Sequence, residues 1–142
     1  MPGADEGMLA RLKVGAVCER APVVLAADAP LSQAEAALRA GPRLEYPVVD
    51  AAGVLVGMLS LEAWHRLRLE AADGDRLVRD LAGPAGPTVT EDDSLLTALR
   101  RMGGRDAPLL PVVHPHDRRL LGVIGRREIF AAYEGALGGH GD

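Results

Sequence analysis

Cysteine, aromatic residues and long apolar runs are all scarce in this 142-residue chain, and each scarcity excludes something. Cys18 is the one cysteine, which rules out an internal disulfide framework and argues against a zinc ribbon or a CxxC redox site. A reducing, cytoplasmic setting is the expectation. Aromatic residues amount to 3% (Tyr46, Trp64, Phe130 and Tyr133), so the core must be built from Leu, Val and Ala. Platforms on which single-stranded nucleic acid could stack its bases are correspondingly few. Apolar runs such as residues 54–56 and 108–113 are strand-sized. They fall far below the roughly 20 residues needed to cross a bilayer, so no direct membrane insertion of this segment is expected. Residues 1–9, MPGADEGML, carry acids and no apolar h-region, so they do not read as a secretory signal.

Charge of one sign is also lacking in any excess. Sixteen basic residues against 20 acidic ones give a net −4, which does not attract nucleic acid or an anionic membrane. Catalytic signatures are missing too: there is no Walker A loop, no G-x-S-x-G elbow and no H-E-x-x-H. The glycines of residues 135–141 follow the last expected helix rather than open one, so they cannot cradle a phosphate. An enzyme is not expected. What is present is a 48% hydrophobic composition, enough to fold. The length suits one ordinary domain or two small units.

The chain repeats itself. Residues 44–50 read LEYPVVD and residues 108–114 read PLLPVVH. Pro47 and Pro111 stand 64 apart (111 − 47), and the same spacing joins Val48 to Val112 and Val49 to Val113. It also joins Val14 to Val78, Asp28 to Asp92, Leu31 to Leu95 and Ala34 to Ala98. Gly57 and Gly122 are 65 apart (122 − 57), so one extra residue has entered the second hairpin loop.

Both copies give the same coarse reading. In the first, residues 23–25 are a short strand, and Leu31, Ala34 and Leu38 make one stripe of a helix stopped at Gly41 and Pro42. Residues 46–49 and 54–60 form a hairpin across Ala51, Ala52 and Gly53, and a helix follows through Leu61, Trp64 and Leu67. In the second, residues 88–90 are the strand, Asp93 or Ser94 caps a helix with the stripe Leu95, Ala98, Leu99 and Met102, and residues 109–113 and 120–124 are the hairpin. Ile129, Phe130, Tyr133 and Leu137 place a closing helix on the sheet. The fold class is α+β: two β-α-β-β-α repeats at 12–72 and 76–137, each preceded by a short helical lead at 14–18 or 78–82. Residues 1–11 and 138–142 are expected to be flexible.

With the doubled LEYPVVD and PLLPVVH strands, Thr88–Val89, and the GMLS and GVIG hairpin exits, the chain resembles a tandem pair of CBS domains (the cystathionine β-synthase type), a Bateman module. The family pattern is a Thr-Val that opens a strand, a helix, an x-x-P-V-V-D strand, and a G-h-h-[ST]-x-x-D exit into a last helix. The resemblance implies two repeats related by a pseudo-two-fold axis, sheets packed together with helices flanking. It implies a regulatory module rather than an enzyme, homodimeric, requiring no cofactor but binding AMP, ADP, ATP or another adenosyl ligand in clefts between the repeats. The ending LLGVIGRREIFAAYEGAL is most similar to the cytoplasmic C-terminal pair of chloride-channel-family proteins, which implies a membrane channel or transporter domain as partner.

Neither copy keeps the full exit motif. The second has Glu128 at the ribose-binding acid position but Gly125 where a hydroxyl residue belongs. The first keeps Ser60 and has Ala63 at the acid position, so its site is expected to be empty or repurposed. Glu128 reads equally as a ribose carboxylate or as a first-turn acid favoured by the helix dipole. Arg126 and Arg127 stand near any phosphates, or form a solvated face. Tyr46 could stack on adenine or be a half-buried strand residue, while Leu110 and Pro111 hold the equivalent stretch of copy two and line a slot. Thr88 could meet the adenine edge or simply suit a strand. His114 and His116 read as a hairpin-loop pair without a metal, Cys18 as a small apolar packing residue, and Arg100 with Arg101 as surface charge. The rival expectation is a ligand-free dimerisation module with degenerate nucleotide sites.

Overall fold

A computed structural model describes residues 4–41, 43–69, 76–103 and 108–138. Its elements run α1 (Ala4–Arg11), a 3-10 turn (Val14–Ala16), β1 (Leu25–Ala26), α2 (Leu31–Ala40), β2 (Glu45–Val49), β3 (Leu55–Ser60) and α3 (Leu61–Leu69). Then come α4 (Val78–Leu81), α5 (Leu95–Gly103), β4 (Leu109–Val113), β5 (Leu120–Gly125) and α6 (Arg126–Gly138). The mixed α+β class and the doubled order of elements are as the sequence implies.

The helix stripes become buried faces. Leu31, Ala34 and Leu38 of α2 are buried, as are Leu95, Ala98 and Met102 of α5. Full burial of one such leucine contributes about 1.5–3 kcal/mol. Ser94, not Asp93, caps α5: its Oγ accepts the Thr97 amide at 3.1 Å, while Asp93 Oδ2 accepts the Thr90 amide at 2.8 Å. At the end of α2, Gly41 lies under the Tyr46 hydroxyl, where a Cβ would collide with the phenol oxygen.

Two compact units result, and neither is a contiguous repeat. The first consists of the described residues of Met1–Pro22, Pro87–His116 and Leu121–Asp142; the second of Val23–Gly86 and Asp117–Leu120. In the second unit β1 pairs parallel to β2, and β2 pairs antiparallel to β3 with a bulge at Val48/Val49. Its core gathers Leu38, Tyr46, Val48, Leu59, Trp64 and Val78. In the first unit β4 and β5 form a two-stranded sheet over a core of Val14, Leu95, Met102, Leu110, Val112 and Ile124.

The leads are exchanged between copies. Residues 14–18 were expected to serve copy one, yet Val14 N donates to Asp93 O at 2.9 Å, and Glu19 and Val123 exchange amide bonds of 2.8 and 2.9 Å. The lead of copy two serves copy one: Leu31 N bonds Arg76 O, Val78 N bonds Ala29 O, and Met58 and Gly83 bond each other. This close approach explains the paired hairpin glycines. A Cβ on Gly57 would stand 2.6 Å from Gly83 O, and one on Gly122 would collide with Glu19 O. Each glycine admits the lead of the other copy.

Three further expectations change. Residues 4–11, expected to be flexible, form α1, whose Leu9 packs on the first unit's core together with Leu12 just beyond it. The strand at 88–90 is a single parallel bridge of Val89 to Val112. Of the closing helix, Ile129 is buried, but Phe130 and Leu137 are 59% and 46% exposed. Residues 1–3 and 139–142, and the repeat boundary at 72–75, lie outside the described residues.

Candidate functional site at the strand-to-helix junctions

Both exit motifs sit where a hairpin strand runs directly into a helix, β3 into α3 and β5 into α6. The first amides of a helix have no partner within it, so the residue before the helix and the third residue in it are the natural places for polar side chains. At the α3 junction Ser60 Oγ accepts the Ala63 amide at 3.0 Å. At the α6 junction the Gly125 amide donates to Glu128 Oε1 at 2.8 Å. These are the two reciprocal halves of one capping box, and each copy has kept a different half.

Glu128 contacts two of the other candidates, Gly125 and Arg127. Its side chain is 14% exposed, and Oε2 lies 3.6 Å from Arg127 Nε on an arginine that is largely exposed. Arg126 is half-buried beside it, and Gly125 is buried. Cys18 lies against this junction, for a Cβ on Gly122 would stand 3.4 Å from its Sγ. Burial pushes the Cys18 thiol above its ordinary value; Arg20 opposes this, and Glu91 and Glu128 add to it. It therefore remains a protonated, small packing group at neutral pH. Arg20 in turn holds Glu91 at 2.7 Å.

Thr88 and Pro111 come together in the same unit. The neighbouring Val89 amide donates to Pro111 O at 3.0 Å, and Val113 N donates to Val89 O at 2.9 Å. Thr88 is half-buried, and its carbonyl accepts Arg101 Nη1 at 2.7 Å. Arg101 also reaches Asp93 Oδ2 at 3.4 Å, so it ties the strand opening to the start of α5 rather than forming plain surface charge. The sequence carried no signal for this, since the partner atom is a backbone carbonyl 13 residues away.

Two candidates lie within the cores. Tyr46 is 1% exposed within the second unit's core, with its hydroxyl accepting the Arg43 amide at 3.2 Å, so no face is open for a base to stack on. Leu110 is fully buried in the first unit's core. Pro111 is buried as well, and it contributes its carbonyl to the ladder. Ser60 pairs with Glu45 across the β2–β3 hairpin, in the unit that lacks Glu128. The His114 and His116 rings lie 5.7 Å apart, with His114 Nδ1 accepting the His116 amide at 3.2 Å. Among the described residues no cluster of three metal-ligating side chains occurs, and no helix is long and apolar enough to cross a membrane.

A doubled strand–helix–hairpin–helix unit with a capped strand-to-helix exit defines a two-repeat α+β module. Residues 14–65 and 78–135 both match the CBS domain, and the chain belongs to that family. Solved structures agree on the fold. The CBS-pair protein CBSX2 from Arabidopsis thaliana superposes with a TM-score of 0.78 at 22% identity, covering 88% of this chain and 96% of its own. A structure of CBSX2 in complex with AMP gives 0.74 at 24%, covering 88% and 98%. The CBS domain pair of protein MJ0100, in complex with 5′-methylthioadenosine and S-adenosyl-L-methionine, gives 0.72 at 18%, covering 87% and 97%. No curated protein is similar enough in sequence to count as a relative.

Proposed function

We propose that this CBS pair is a regulatory module, not an enzyme, that senses an adenosyl ligand such as AMP or ATP through the α6 junction. The observation that carries the reading is Glu128, a mostly buried carboxylate at a helix start with Arg127 next to it. A ribose offers two hydroxyl donors and a phosphate offers acceptors. The Glu128 carboxylate is the group suited to the first, and Arg126 and Arg127 suit the second. Thr88, held by Arg101, and the Gly125 backbone belong to the same unit. The equivalent acid position in copy one is Ala63, so one site per chain follows, not two. The adenosyl ligands of CBSX2 and MJ0100 support the ligand class.

The module acts as a homodimer and biases a partner through the ligand's unequal affinity for two packings. For that partner, the resemblance of residues 120–137 to chloride-channel-family proteins points to a membrane channel or transporter domain, with this module on its cytoplasmic side. A second reading has its own support: Glu128 Oε1 and Ser60 Oγ both already serve as helix caps, as a ligand-free dimerisation module would use them. Thermal melting with AMP, ATP and S-adenosylmethionine separates the two. A ligand at 100 times its Kd raises stability by about 2.7 kcal/mol, whereas unchanged melting with all three establishes the ligand-free reading.

A further inference from the structure

Aligned positions around the two strand-to-helix junctions exchange polar for apolar character. At the 64-residue spacing Thr88 answers to Val24 and Leu109 to Glu45; at the 65-residue spacing Gly125 answers to Ser60 and Glu128 to Ala63. The same spacing sets Arg126 and Arg127 against Leu61 and Glu62. Charge inverts with them: two arginines and one glutamate give +1 in copy two, and two glutamates give −2 in copy one. Glu45 opens β2 and stands directly opposite Ser60 across the hairpin. Tyr46, Val48 and Leu59 enter the second unit's core, so strand alternation puts Glu45, Pro47, Met58 and Ser60 on the other face of that sheet. The parallel register of Leu25 with Val48 sets Val24, which is 37% exposed, beside Pro47 on that same face.

The two acids of copy one are not alike. Glu62 is exposed and ion-paired to Arg66 at 3.0 Å. Glu45 is half-buried and makes no hydrogen bond or ion pair among the described residues. Burial is the one cause that raises its carboxyl above the usual range, so no cation, Arg43 included, lies close enough to lower it. A carboxylate drawn out of water without a counter-charge destabilises the chain, and a cation supplied from outside relieves it. We propose that copy one's junction is a site for a small organic cation, an alkyl ammonium or guanidinium group on an apolar body, with Glu45 taking the charge and Val24 the body. Ser60 Oγ accepts the Ala63 amide and has a second lone pair for the same cation's N–H. Phosphate is repelled here, the reverse of the α6 junction, and the site stands whether or not α6 takes a nucleotide.

Titration of the ¹⁵N-labelled whole chain at pH 7 with pentylamine, pentanol and pentanoate tests the site, since the three probes share one apolar body and differ in charge. Pentylamine should saturably shift the amide signals of Glu45, Ser60 and Ala63 and leave that of Gly125 in place. Pentanol and pentanoate should bind there at least about fivefold more weakly. Glu45→Gln keeps the shape of the side chain, and it should weaken pentylamine at least about fivefold while the spectrum stays that of a folded chain. Equal binding of the three probes, an undiminished pentylamine affinity in Glu45→Gln, or no saturable shift with pentylamine each overturns the proposal. So does AMP shifting the copy-one amides as strongly as pentylamine does. A chain whose Gly125 signal ignores AMP loses the nucleotide reading of α6, while the pentylamine result still decides this one.

Discussion

The start of α3 and the start of α6 occupy the same place in their repeats, and they divide one device between them. At the first, a serine before the helix accepts an amide from inside it; at the second, an acid inside the helix accepts the amide before it. Each half suffices to cap a helix. Only the second carries an acid at that position; the first has Ala63 there. Equal structural service from different residues is how the two copies keep one helix start while their exit motifs differ.

The largest contrast between the copies lies in their cores. Tyr46 and Leu110 are equivalent at the 64-residue spacing and both fully buried. Leu110→Ala should destabilise the chain by about 2–5 kcal/mol in denaturant unfolding, since it empties a cavity in the first unit. Tyr46→Phe keeps the packing and loses one hydrogen bond to the Arg43 amide, costing about 1 kcal/mol. Equal losses would contradict this contrast between the two positions.

The junctions come next. Glu128→Ala and Ser60→Ala should each cost about 1 kcal/mol of stability, because each removes one helix cap. A markedly unequal cost would break the claim that the halves are equivalent as caps. In the reverse direction, Ala63→Glu supplies copy one with the missing half and should raise stability by about 0.3–1 kcal/mol in thermal melting. The smallest effect concerns Glu45, which opposes Ser60 in the hairpin. Burial raises its carboxyl above the usual range, so folding takes up a proton there. The sign is that wild type loses stability as pH rises through the ordinary carboxylate range toward the raised value. Glu45→Gln should therefore be the more stable chain at pH 7, with the gap closing below about pH 4.

Much of this was legible in the sequence, for a physical reason. The repeat spacing and the stripes Leu31–Ala34–Leu38 and Leu95–Ala98–Met102 report burial, which apolar periodicity encodes directly. The split exit motif was visible too, but not that both halves act as caps, since that depends on amide positions set by the strand-to-helix turn. The exchange of leads was not legible. Residues 14–18 and 76–83 make backbone bonds that any sequence could make, and Gly57 and Gly122 signal a close approach without saying which segment approaches. Phe130 and Leu137 misled because periodicity marks an apolar face and cannot say whether the same chain covers it.

The most direct test of the central claim is the stoichiometry of AMP binding by titration calorimetry, carried out on wild type, Ser60→Ala and Glu128→Ala. The account predicts one site per chain, unchanged in Ser60→Ala and weakened at least about tenfold in Glu128→Ala. Two sites per chain, or binding that is indifferent to Glu128, would contradict it.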